Sequence, residues 1–65
     1  MSYPKLRGRI RELFDTQEAF AEAMRMSTTT LSGKLTGKTD WTRQEIVDSC
    51  RLLGIPLSDA PAYFF

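Results

Sequence analysis

The residues best suited to contact chemistry lie between Ser27 and Thr39. Thr28, Thr29, Thr30 and Ser32 carry hydroxyls that can hydrogen-bond to several bases, and threonine methyls can touch the methyl of thymine. Lys34 and Lys38 add positive charge, and no acid occurs between Met26 and Thr39. Such a surface suits the binding of phosphates and polar edges. Covalent chemistry finds little support. The chain has no histidine, no glycine-rich phosphate loop, and no nucleophile with a plausible base beside it. Its carboxylates are expected on exposed helix faces. Cys50 is the only cysteine, so it can form neither an internal disulfide nor a zinc site. The expectation is a protein that is not an enzyme, with no catalytic residue, no metal and no cofactor.

With 65 residues, the chain is expected to form one domain, 1–65, of marginal stability. Helix packing and capping must supply that stability. The formal net charge of +1 is modest for a nucleic-acid partner, so distribution tells more. Lys5, Arg7, Arg9 and Arg11 crowd the start, and Asp15, Glu18 and Glu22 separate them from the lysines further on. Nothing resembles a signal peptide, and no apolar run is long enough to span a bilayer. The expected location is the cytoplasm, with no membrane partner and with the thiol in a reducing compartment.

Turn and cap residues punctuate the chain at short intervals, which predicts an all-α, compact bundle of four to five short helices. Helix one should begin near Pro4, with Leu6, Ile10, Leu13 and Phe14 on one face. Helix two should begin at Asp15 or Thr16, where Asp15 and Glu18 fit a capping box, and its apolar stripe is Phe20, Ala23 and Met24. Helix three, about 27–35, has Ser27 as N-cap, Met26 and Leu31 as a hydrophobic staple, and Gly37 at the left-handed position that ends it. Helix four has Thr42 and Glu45 as a capping box, Trp41 and Ile46 as a staple, a stripe of Ile46, Val47, Cys50 and Leu53, and Gly54 as its stop. A short fifth helix opens at Leu57 and Ser58, with Pro61 limiting it.

Helices two and three are joined by only Arg25 and Met26, so they must cross steeply, as in a helix-turn-helix. Ala21 would lie at the crossing. The stretch from Thr16 and Gln17 through Ala21 to Ser27, Thr28, Thr29, Thr30 and Leu31 resembles the helix-turn-helix of the lambda-type phage repressor and Cro family. The following Leu35, Thr36, Gly37 and Lys38 resemble that family's exit from the recognition helix. Within the family, the chain is similar to short temperate-phage regulators, both Cro-like proteins and modulators of repression.

The resemblance implies a lambda repressor-like DNA-binding domain, with the motif at about 16–35. It implies that Gln17 fixes a phosphate, that Ser27 caps helix three and touches a phosphate, and that Thr28, Thr29 and Ser32 face base edges. Lys34, Lys38 and Thr39 would lie along the backbone of the duplex. Two departures stand out. Arg25 replaces the usual turn glycine, so either it bears the cost of a left-handed backbone or the turn differs slightly. The reading surface also lacks the Gln, Asn or Arg that make bidentate base contacts.

Several residues have a structural reading beside the functional one. Gly33 is either a tolerated surface glycine or a point of close backbone approach to DNA or a partner. Trp41, Met24 and Met26 are expected in the core, and Cys50 buried and inert. The basic face of helix one is expected to be solvated, with Lys5 or Arg9 as the phosphate contacts. One or two of Tyr63, Phe64 and Phe65 should close the core, the alternative being self-association.

Two functional readings follow. The first is a DNA-binding transcriptional regulator of a phage-type genetic switch in a bacterial host, nucleoid-associated and bound to a double-stranded operator. It would act as a homodimer on half-sites about 34 Å apart. The alternative is a protein-binding modulator, an anti-repressor or co-repressor. It would dock on a partner phage repressor through the same motif or through the apolar C-terminus.

Overall fold

A computed structural model describes residues 3–65; Met1 and Ser2, the start of the expected domain, lie outside the described residues. Five α-helices and one 3-10 turn make up the fold: α1 Pro4–Phe14, α2 Gln17–Ala23, α3 Thr28–Leu35, α4 Arg43–Leu53, the 3-10 turn Leu57–Asp59 and α5 Ala60–Phe64. No strand occurs among the described residues. Among the described residues no helix is long and apolar enough to cross a membrane.

The ends of the helices follow local chemistry. Ser27 Oγ accepts from the Thr30 amide at 3.1 Å, and Thr42 Oγ1 accepts from the Glu45 amide at 3.2 Å. Glu45 returns the bond by accepting from the Thr42 amide at 2.9 Å, completing the capping box. Helix α2 differs from expectation. Thr16 is its cap, accepting from the Ala19 amide at 3.1 Å, and no box forms between Asp15 and Glu18. Asp15 instead ends α1 at φ 71° and ψ −48°, and the Thr16 amide donates to the Phe14 carbonyl at 2.7 Å across it. That is a γ-turn of the strained kind. A second difference concerns Pro61, which lies in the first turn of α5 and so helps to start that helix rather than stop it.

Leu6, Ile10, Phe20, Leu31, Leu35 and Leu53 are the fully buried apolar side chains, drawn from four helices. Ala21 is buried with them, as a close α2–α3 approach requires. Leu13 and Ala23 are exposed, against expectation, and Ile46 and Val47 are half-buried. In α1 the inward line is Leu6, Ile10 and Phe14, four residues apart, which leaves Leu13 on the flank. Phe64 closes the core and Tyr63 packs on its edge, whereas Phe65 is 88% exposed. Trp41 meets Phe64 and Tyr3 edge-on, at centroid distances of 5.1 and 6.3 Å. Ser49, fully buried on α4, donates to Met24 Sδ at 3.5 Å.

Arginines of α1 tie the bundle together. Arg7 Nη2 donates to the Leu35 carbonyl at 2.9 Å, and Arg9 Nε to the Leu53 carbonyl at 3.0 Å. Each satisfies a carbonyl at the C-terminal end of another helix, where positive charge is also favoured by the helix dipole. Lys5 Nζ sits 4.9 Å from the centroid of the Tyr63 ring. Lys5 and Arg9, the phosphate contacts expected on α1, therefore have partners within the fold.

Candidate functional site

The α2–α3 connection fixes the surface that the sequence singles out. Arg25 adopts φ 61°. Its amide donates to the Glu22 carbonyl at 3.0 Å, and the Met26 amide donates to the Ala21 carbonyl at 3.0 Å. Those two bonds make a Schellman turn with arginine at the left-handed position. The same motif closes α3, where Gly37 at φ 85° and Lys38 donate to the Lys34 and Gly33 carbonyls at 3.3 and 2.9 Å. Helix α3 is thus clamped at both ends, with Leu31 and Leu35 inward and its hydroxyl face outward.

On that outward face, Thr28, Thr29, Ser32, Gly33 and Lys38 line one open hollow of about 440 Å³. Thr36 lines it as well, a residue expected only as part of the exit from helix three and not as a contact. It stands four residues after Ser32, and that helical spacing was the available signal. Its hydroxyl donates to the Ser32 and Gly33 carbonyls at 3.0 and 3.2 Å, which leaves the methyl and the oxygen's acceptor capacity for a contact. Thr39 is exposed beside this face, and its amide donates to the Gly33 carbonyl at 3.3 Å. A Cβ added at Gly33 would meet Thr39 Oγ1 at 3.5 Å, an ordinary contact, so internal packing does not demand the glycine. Ser27 is spent as a cap, and its hydroxyl donates to Thr30 Oγ1 at 2.9 Å. Gln17 lies elsewhere. It lines a separate hollow of about 390 Å³ between α1 and α2, shared with Arg11, Asp15, Glu18 and Thr28.

Lys34 requires a correction. It does not extend along a ligand backbone; only 6% of its surface is exposed, and it points into the fold. Its Nζ lies 2.8 Å from Glu45 Oε1 and donates to the Asp40 carbonyl at 3.0 Å. Burial opposes the charge on Glu45, but hydrogen bonds from Lys34 and Thr42 and the lysine's charge outweigh it, holding the carboxyl below its ordinary range. Lys38 therefore remains as the exposed lysine on the α3 face. The face carries one cation and is rich in hydroxyls.

A third concavity, of about 490 Å³, lies between α4 and the C-terminal segment. Trp41, Ile46, Val47, Leu57, Pro61 and Phe65 give it an apolar lining, and Arg43 is its one charged lining residue. Among the described residues no cluster of three or more His, Cys, Asp or Glu could hold a metal ion.

Comparison with known proteins adds three findings. The family model described as "Protein of unknown function (DUF739)" matches residues 1–65. No curated protein matches the chain. The solution structure of the modulator of repression (MOR) of the temperate bacteriophage TP901-1 from Lactococcus lactis superposes with a TM-score of 0.88. The two sequences are 41% identical, and the match covers 98% of this chain and 86% of that chain.

Proposed function

From a chain that belongs to the family described as Protein of unknown function (DUF739), we propose a phage-type regulatory protein that modulates repression by binding a partner repressor. The observation that carries this reading is the 41% identity to a phage modulator of repression across 98% of the chain. The chemistry of the α3 face supports it. A DNA reader needs side chains that grip base edges in pairs and cations that neutralise phosphates. Here the face offers hydroxyls and one exposed lysine, while Lys34 is held by Glu45. Small hydroxyl and glycine positions suit close approach by another protein. The protein acts by binding and not by turnover, in the cytoplasm of a bacterial host.

Co-elution tests this reading. The chain, mixed with a repressor encoded by the same genome, should leave a sizing column with it as one complex and alter the repressor's hold on its operator. Separate elution at micromolar concentration, with operator binding unaltered, would sink the proposal.

A second reading, direct DNA binding in the manner of the lambda-type repressor and Cro family, is favoured by the shared open hollow of Thr28, Thr29, Ser32 and Lys38. Its test is a generic duplex titrated at low salt into nitrogen-15-labelled protein, since non-specific binding is mainly electrostatic. Amide shifts clustered on Gln17, Ser27 to Ser32 and Lys38 would support it, and an unmoved spectrum would remove it.

A further inference from the structure

Resting on the modulator reading, we infer that the groove between α4 and the C-terminal segment is a second docking site, and that it takes an amphipathic helix of the partner repressor with a carboxylate beside its apolar ridge. The groove has a volume of about 490 Å³, enough to receive several apolar side chains. Its walls are Ile46 and Val47 on α4 and Leu57 and Pro61 on the facing segment, with Trp41 and Phe65 completing it. Leu57 and Phe65 are 57% and 88% exposed, so this face leaves large apolar side chains in water. An apolar trough beside a helix is the usual receptor for a helix that presents side chains at three- and four-residue spacing.

Charge selects the occupant. Arg43 is the charged residue in the lining, is exposed, and makes no ion pair among the described residues. An occupant with a carboxylate at its edge would pair with it. A second copy of this chain fits less well. In a twofold pairing the patch meets itself, so Arg43 would face a lining that holds the same cation and no acid. Asp40 lines the neighbouring hollow, with Trp41, Ile46 and Phe65 shared between the two. Duplex DNA offers neither the apolar ridge nor the carboxylate.

Trp41 is the only tryptophan and lines the groove, so its emission reports occupancy. The experiment titrates the repressor encoded by the same genome into full-length chain, wild type and three variants: Leu57→Glu, Arg43→Glu and Arg43→Lys. Both positions are exposed, and a glutamate at the first residue of α4 is favoured by the helix dipole, so folding should survive. Amide spectra of the free variants check this. The expected result is a Trp41 emission change on binding, at least tenfold weaker affinity for Leu57→Glu and Arg43→Glu, and near-wild-type affinity for Arg43→Lys. Tight binding that ignores all three variants and shifts only α2 and α3 amides would overturn the groove and leave the modulator reading intact. Absence of any complex with the wild-type chain would remove both. A chain that sediments as a dimer, and as a monomer after Leu57→Glu, would assign the groove to a second copy and overturn the inference.

Discussion

Arg25 sits at φ 61° in the turn between α2 and α3, a conformation that costs a side-chain-bearing residue about 1 kcal/mol and glycine nothing comparable. Both Schellman bonds form regardless, so tertiary packing of α2 on α3 supplies the difference. Arg25→Gly should keep the turn and raise stability by no more than about 0.5 kcal/mol, because the relief of strain is partly offset by the freer unfolded chain. Urea denaturation of the two proteins measures it, and a glycine variant less stable than wild type would mean that the arginine side chain contributes more than its backbone costs. Glu45 provides a second residue-scale prediction. Its carboxyl titrates below its ordinary value when folded, so its stabilisation is complete above the ordinary carboxylate range and is lost as pH falls through the folded value. Glu45→Gln should therefore cost about 2 kcal/mol at neutral pH, from the loss of charged hydrogen bonds to Lys34 and Thr42. The gap to wild type should close in acid, as pH falls through the lowered folded value. A gap independent of pH would show that the ion pair contributes nothing to stability.

Capping was the most legible feature at the scale of the helix. Ser27, Thr42 with Glu45, Gly37 and Gly54 act within a few residues of themselves, so their chemistry can be read without the fold. Where two adjacent residues were both good caps, as with Asp15 and Thr16, sequence could not choose. The choice depends on how α1 must turn to lay Phe14 against Phe20, whose rings meet at 5.2 Å. The candidate site was legible to a similar depth. Helical spacing placed Thr28, Thr29, Ser32 and Gly33 on one face, but it could not see that Lys34 would find Glu45 on the next helix. Arg7 and Arg9 of α1 were misread for the same reason, since their acceptors are the terminal carbonyls of α3 and α4, far away in sequence. Their role is testable. Arg9→Met keeps the aliphatic stem and removes the donor, and should cost about 1 kcal/mol while increasing amide exchange in the last turn of α4. Unchanged exchange there would mean that water caps Leu53 as well as the guanidinium does.

As a whole molecule, the protein rests on one small core without a disulfide to tie it. A chain of this length has a total stability of roughly 3 to 10 kcal/mol, and truncating one fully buried leucine removes about 3 kcal/mol of it. Leu35 is a telling choice, because it is buried at the end of α3 and its carbonyl accepts from Arg7. Cys50 supplies the readout. It is buried, and desolvation pushes its thiol up, so in the folded state the reactive thiolate is both scarce and shielded. Labelling with an aromatic disulfide reagent must then pass through opening of the core, and its rate follows the population of the open chain. Leu35→Ala should accelerate labelling by about a hundredfold, since every 1.4 kcal/mol is tenfold. Leu13→Ala, on the exposed flank of α1, should change the rate by less than about threefold, surface changes being usually within 0.5 kcal/mol. If wild-type Cys50 reacts as fast as an unfolded thiol, the core is not closed as described. If both variants accelerate labelling equally, α1 lies against the bundle by a different face.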